Sequence, residues 1–435
     1  MTALEIAGSA GQRTTSAKLR LVVLASVLGT AVEWYDFLIY GVGAALVFNK
    51  LFFPTFDPLV GTLAAFGSYA VGFVARPLGG AIFGHFGDRI GRKAMLTLTM
   101  VIMGGGTFLI GLLPTHSQIG ILAPILLVFL RLLQGIGIGG EWGGAVLMVI
   151  ETGEAKQRGF LGSLVQMGFP LGMVFATIVF AVVSKLPEAD FLAWGWRIPF
   201  LVSVLLVGVG LFVRLRLVET PKFQEVRERN EIAELPIVEV LRRDWKNFII
   251  AVGLKITEVA WVYILTVFIV FYASSRLGLP RTVMLDAVLY AALLELLTIP
   301  LFGMLSDRVG RKALYIAGAI CSALLAFPLF SLIETKDPTI IAVTIALTMS
   351  LCHGMMFGPQ AAFLPELFGT KVRYSGASLG CQISAAISGG FAPLIATWLL
   401  AWEGGTHSIS LYMVGLSAIT LAAVIAARET AFDDL

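Results

Sequence analysis

Charge is what this 435-residue sequence has little of: 14% of its residues are charged against 57% hydrophobic. A soluble domain carries about 25% charged residues, so a water-covered globular protein is excluded. The small formal charge of +3 gives no case for a nucleic-acid partner. Cysteine is scarce as well. Cys321, Cys352 and Cys381 all fall in apolar stretches and suggest neither a disulfide framework nor a metal site. Four histidines, His85, His116, His353 and His407, are scattered without metal-ligand spacing. No nucleophile–base constellation is visible, so no enzyme, metal or cofactor is expected. His353 reads as a hydrogen-bonded packing residue. The run Gly135-Ile-Gly137-Ile-Gly139-Gly140 has a faint look of a phosphate loop, but it follows no strand and lies inside an apolar stretch.

What the chain has is apolar length. Its hydrophobic residues suffice for about twelve membrane spans of ~20 residues each. Runs bounded by Gly, Pro and charge place these near 21–48, 59–83, 94–113, 119–150, 159–184, 197–217, 248–274, 283–306, 313–333, 338–364, 372–400 and 407–427. The fold class is therefore an all-α polytopic membrane protein. Its expected parts are a tail at 1–20, a six-helix bundle at 21–217, a polar loop at 218–247, a second six-helix bundle at 248–427 and a tail at 428–435. Arg13, Lys18 and Arg20 imitate the basic region of a signal peptide. The run behind them is too long and holds Glu33 and Asp36, so a retained first helix is expected. Of the 31 lysines and arginines, 22 fall on the side of the termini and central loop. Six fall on the other side (Lys50, Lys185, Arg197, Arg276, Arg281 and Lys336), and three lie within spans. The rich side is expected to be cytoplasmic, with both termini.

The two bundles repeat each other. A G-x-x-x-D-R-x-G-R-K turn occurs at 84–93, with Asp88, Arg89 and Arg92, and again at 303–312, with Asp307, Arg308 and Arg311. A second echo, Glu151 with Arg158 and Glu366 with Arg373, is displaced by 215 residues (151 to 366). A duplicated bundle of this size is typical of secondary transporters. The charged turns suit a latch: the aspartates can cap helix N-termini, and the basic residues can bind acidic groups across the half interface.

Eight charges lie within spans: Glu33, Asp36, Arg76, Arg131, Glu141, Lys255, Glu258 and Glu295. Facing lipid, together they would cost on the order of 20–28 kcal/mol, so they must face one another or water inside the bundle. Glu33, Asp36 and Tyr40 share one face of the first helix, and Lys255 and Glu258 are also one turn apart. Three buried cations suit a small organic anion, since arginine can grip a carboxylate with two parallel N–H donors. The candidate substrate residues are Arg131, Lys255, Arg76, Tyr35, Gln134, Trp142 and Trp261. Asp36 leads the candidates for the coupled proton, followed by Glu33, Glu258, Glu295 and Glu141. Trp194 and Trp196 read as an interfacial belt.

These stretches carry a resemblance. The two charged turns and Arg131-Leu-Leu-Gln134-Gly135 resemble the signatures of the major facilitator superfamily, over essentially the whole chain. Four further stretches are similar to its bacterial metabolite:proton symporter branch: Glu33-Trp34-Tyr35-Asp36-Phe37, the Glu141 loop at 139–144, the Trp194–Phe200 run, and Pro365-Glu366-Leu367-Phe368 with the following Arg373 turn. The branch carries shikimate, 2-oxoglutarate, citrate, phthalate-type acids, proline and betaine. The resemblance implies alternating access between two six-helix halves and proton-coupled uptake of an organic acid by a monomer in a bacterial inner membrane. Osmolyte carriers of the branch often have a long C-terminal coiled coil, which this chain lacks, so betaine or proline is the second reading. Drug antiporters carry a Gly-Pro-rich helix-five motif that Gly168-Phe-Pro170-Leu-Gly172 only partly approaches. A transporter-like sensor that binds without transport is the rival of another class.

Overall fold

The computed structural model describes residues 3–90, 92–139, 142–152, 155–215, 236–369 and 372–433. Side chains at 3–21, 84–90, 92–96, 144, 148, 151–152, 155, 213–215, 236–239 and 374 fall outside the description. Asp88, Arg89, Arg92, Glu141 and Glu151 are therefore not placed.

Every described element is helical. The spans are α1 (Val22–Leu51), α2 (Pro58–Phe83), α3 (Arg92–Leu112), α4 (Leu122–Ile138, continued by Trp142–Thr152) and α5 (Arg158–Val183). They continue with α6 (Arg197–Leu215), α7 (Trp245–Ser275), α8 (Arg281–Val309), α9 (Arg311–Ile333), α10 (Pro338–Glu366), α11 (Ser375–Glu403) and α12 (His407–Ala426). Nine of these are long and apolar enough to cross a membrane as they stand. A tenth, α6, is joined across a 42° bend to Glu188–Gly195, and α3 and α4 contribute shorter apolar helices. This is the expected set of twelve, each within a few residues of its sequence position.

Duplication extends to the irregularities. α1 carries a π-helical turn at Ala44–Phe48 and α7 one at Ile264–Phe268, an offset of 220 residues (44 to 264). Further π turns occur at Met349–His353 in α10 and Ala385–Gly390 in α11. The halves meet where α2 packs on α11 and α5 on α8, with α1 beside α7.

The glycine run in α4 is a packing device. A Cβ on Gly135 would collide with the Gly72 carbonyl, one on Gly139 with the Arg76 carbonyl, and one on Gly79 with the Ile136 carbonyl. With no hydrophobic force between helices in lipid, close backbone approach through small residues holds α2 to α4. The approach also fixes Arg76 and Arg131 on facing helices. Trp194 is exposed as expected, but Trp196 is not interfacial. It is fully buried among Phe48, Phe52 and Phe200, because the bend before α6 turns it inward.

Replacing Gly135 by Val should therefore cost about 3 kcal/mol or more of folded stability, read as loss of monodisperse protein in detergent. Gly105→Ala, on the same bundle but with open space where its Cβ would go, should shift stability by no more than about 1 kcal/mol.

Candidate functional site

Two clusters of charge occupy the interior, one in each half. In the first, Arg131 on α4 is fully buried. Its guanidinium carbon lies 3.8 Å from the centre of the Phe37 ring, 4.2 Å from Tyr40 and 4.8 Å from Tyr69. Nη1 donates to Gln134 Oε1 at 3.1 Å, and Gln134 Nε2 in turn donates to Thr107 at 2.6 Å. Nε and Nη2 of Arg131 have no hydrogen-bond partner among the described residues. Arg76, from α2, stacks on Phe37 at 3.9 Å and Phe73 at 4.4 Å, and its Nε is likewise without a partner there. Asp36 is buried on α1 near the Thr107 hydroxyl, and neither of its oxygens makes a hydrogen bond of good geometry among the described residues. Glu33 is buried on the same helix.

The second cluster is compensated. Lys255 on α7 donates to Glu258 at 3.1 Å and to Gln360 Oε1 at 2.8 Å, while Gln360 Nε2 donates to Glu258 at 2.7 Å. His353, at the end of the π turn in α10, bridges two carboxylates: Nδ1 lies 2.6 Å from Glu295 Oε1 on α8, and Nε2 lies 3.3 Å from Glu258 Oε1. All of these side chains are buried. The sequence reading of His353 as a hydrogen-bonded packing residue fits these contacts, but its partners lie 58 and 95 positions away (295 to 353 and 258 to 353), a separation that hides them from any local pattern. Gln166 and Gln360 escaped sequence reasoning too. Trp142 donates to Gln166 at 3.2 Å and Gln166 to Gln360 at 3.4 Å, so a polar chain runs from α4 and α5 into the other half.

Rings separate the clusters. Tyr263 on α7 stacks on Trp34 and meets Tyr69 and Phe73 edge-on, while Trp34 reaches Phe169, which in turn packs against His353. Trp261 is fully buried with its indole N–H unpartnered among the described residues. Tyr35 does not join this wall, because its hydroxyl donates to the Pro199 carbonyl at 2.6 Å and ties α1 to α6.

At the end of the charged turns, Asp307 caps α5 across the half interface. Its two oxygens accept from the Gly159 and Phe160 backbone amides at 2.8 and 2.9 Å, as suits a carboxylate at a helix N-terminus. Arg311 donates to Asp307 at 2.7 Å and grips both oxygens of Glu366 at 3.3 Å. Glu366 also accepts from Thr430 at 2.6 Å, and Glu429 accepts from the Arg311 and Lys312 amides that begin α9. Arg158 reaches the Asp433 carbonyl, Arg373 donates to the Phe368 carbonyl at 3.4 Å, and Arg308 is exposed.

Set beside known proteins, residues 27–389 match the Major Facilitator Superfamily. The chain belongs to that superfamily. It is 42% identical over 410 residues to a shikimate transporter of Escherichia coli (strain K12), covering 93% of this chain and 94% of that one. It is 36% identical over 424 residues to a proline/betaine transporter of Salmonella typhimurium, covering 95% of this chain and 84% of the relative. Among solved structures it superposes on a D-xylose–proton symporter with a TM-score of 0.74 at 18% identity, over 95% of this chain and 99% of that one. That likeness shows the fold: twelve helices in two halves.

Described contacts join the halves at both ends. Opposite the charged turns, Arg281 of the second half meets Glu188 of the first at 3.1 Å and the Ser184 carbonyl at 3.2 Å, while Lys50 also meets Glu188 at 2.8 Å. Asp307→Asn should keep one acceptor for α5 and lose the charge that holds Arg311. A bias of ~1.4 kcal/mol would change the ratio of open to closed forms tenfold. Single cysteines at Gly162 or Ser306, in a background lacking Cys321, Cys352 and Cys381, should become several-fold more reactive from the charged-turn side. Unchanged reactivity would reduce the turn to a topology signal.

Proposed function

We propose that this chain imports a small organic anion with a proton across a bacterial inner membrane, by alternating access, acting as a monomer with both termini cytoplasmic. One observation supports the substrate class: Arg131 sits fully buried against three aromatic rings with two of its guanidinium nitrogens unpartnered among the described residues. Buried donors are ordinarily satisfied, and a buried cation with open donors is a seat for a carboxylate, gripped by the fork. Arg76 adds a second cation beside it, and the rings offer flat apolar contact to a cyclic or chain acid. Lys255 is already held by Glu258 and Gln360, so its part is to set the charge of the second cluster.

The proton belongs with the buried carboxyl groups: Asp36 and Glu33 in one half, Glu258 and Glu295 in the other. The shikimate transporter among the relatives makes shikimate the first compound to test. The proline/betaine relative supports a second reading, a zwitterion whose carboxylate takes Arg131 and whose ammonium faces the rings.

The test is uptake into proteoliposomes under an imposed pH gradient, inside alkaline, with shikimate and betaine in parallel. Shikimate should accumulate above equilibrium and stop doing so when a protonophore collapses the gradient. Accumulation of betaine alone would favour the zwitterion, and binding without accumulation would favour a sensor. Arg131→Lys keeps the charge and removes the fork, so shikimate affinity should fall at least about tenfold, ~1.4 kcal/mol. Wild-type affinity in that variant would place the anion elsewhere.

A further inference from the structure

We propose that the Glu258–His353–Glu295 bridge is a one-proton site, and that its occupancy locks or frees α8 and α10 at the level of the substrate. The inference rests on the proton-symport reading above and assigns a group to it that sequence reasoning passed over.

The argument begins with hydrogen-bond chemistry. An ionised carboxylate only accepts, so both contacts of His353, at 2.6 and 3.3 Å, are favourable in two arrangements. Either the ring is an imidazolium donating at both nitrogens, or it is neutral and one of the two glutamates is a carboxylic acid donating back. Both arrangements hold the same number of protons, one more than a neutral ring between two carboxylates. Removing that proton leaves a lone pair of the ring facing a carboxylate oxygen, and one arm of the bridge becomes repulsive. Glu295 Oε2 is buried without a hydrogen-bond partner among the described residues. A proton shared between Oε1 and Nδ1 spares that oxygen from carrying a bare charge.

Charge balance agrees. Lys255, Glu258, His353 and Glu295 sum to zero when the bridge holds its proton and to minus one when it does not. Among the described residues the other groups that face the cluster are Tyr263 on α7, a phenol that is neutral in its ordinary form, Tyr315 on α9, Cys381 on α11, and Arg76 and Glu33 across the half interface. Tyr315 and Cys381 are neutral in their ordinary forms, and Arg76 and Glu33 carry opposite signs. An anion bound at Arg131 therefore meets a neutral neighbour when the bridge is loaded and a negative one when it is not. Loading then favours anion binding, as symport requires.

The consequence reaches the gate through two helices. α8 carries Glu295 and, twelve residues on, Asp307. α10 carries His353 and, thirteen residues on, Glu366. At 1.5 Å per residue each pair spans about 18–20 Å, and Arg311 clamps Asp307 and Glu366 together at the far end. The same two helices are thus fastened twice, by the bridge and by Arg311. His353 lies in a π turn, a place where a helix yields.

The decisive measurement uses ligand-free protein with nitrogen-labelled histidine in nanodiscs, across about pH 5 to 8. The signal absent from His353→Gln identifies this ring, and one proton should leave it and its carboxylate partners together. In Glu295→Gln that signal should titrate differently. A ring that stays neutral throughout, in unchanged form in both proteins, overturns the proposal whether or not any substrate has been found. In proteoliposomes with shikimate as the probe, His353→Gln and Glu295→Gln should lose at least about tenfold of gradient-driven accumulation while retaining shikimate exchange. Equal loss of both activities would make the bridge a merely structural contact. A bound proton without shikimate binding in the wild type would leave the bridge standing and remove the substrate reading.

Discussion

A charge buried in a bilayer has no water to fall back on, and everything in this protein's interior follows from how that is managed. The second half answers largely by compensation: Lys255, Glu258, Gln360, His353 and Glu295 hold one another by short contacts, with Glu295 Oε2 left without a partner among the described residues. The first half answers only in part. Arg131 and Arg76 are spread over aromatic faces, which stabilise a cation by about 2 kcal/mol when desolvated but accept no hydrogen bond in the plane of the fork. An unfinished site beside a finished one is what a carrier needs, because a ligand can complete the first and the charge of the second can decide whether it does.

That division depends on backbone packing. Gly72, Gly79, Gly135 and Gly139 bring α2 and α4 into contact at the level of the peptide groups. Arg131 passes over Gly72 of α2, and both arginines reach the Phe37 ring of α1. The α5–α8 contact repeats the device at the half interface, where Gly159 and Gly303 leave space that the Arg311 and Ser163 side chains use. The first glycine of the second charged turn thus serves approach, and the aspartate four residues later serves the latch. One short motif holds both functions because a helix turn places them on the same face.

Much of this was legible in the sequence. The twelve spans came from hydrophobic length, the two halves from the repeated turn, and the i, i+3 contacts Arg131–Gln134 and Lys255–Glu258 from helical spacing. What the sequence hid were contacts made by tertiary proximity alone. A lone histidine has no pattern, and nothing local announces that Glu258 and Glu295 converge on it. Gln166 and Gln360 look like ordinary helix residues until α5 and α10 are brought together. Glu366 sits near Arg373 in the chain but is held by Arg311, because α9 begins beside the end of α10. Tyr35 lies in a stretch rich in site residues and faces the other way, toward α6.

The two ends of the bundle are closed by unequal means, and the inequality gives a direction. Lys50, Glu188 and Arg281 form an exposed network, with side chains 51%, 59% and 17% accessible. Water replaces such pairs readily, and each is worth about 0–1 kcal/mol. At the other end the halves meet where Asp307, only 9% accessible, accepts from the Gly159 and Phe160 amides, while the buried Arg311 ties Asp307 to Glu366 within the second half. With the charged turns placed at the cytoplasm, as the distribution of basic residues proposes, that end is the costlier to part, because each hydrogen bond to a charged group contributes about 1.5–3 kcal/mol. A proton on the His353 bridge alters the contact between α8 and α10, the helices that carry Asp307 and Glu366, and an anion on Arg131 would feel the charge of that bridge. On the proposed proton-symport reading, a carrier that opened inward as easily with a proton alone would leak the gradient it runs on, so both cargoes would have to act on the end that Asp307 closes.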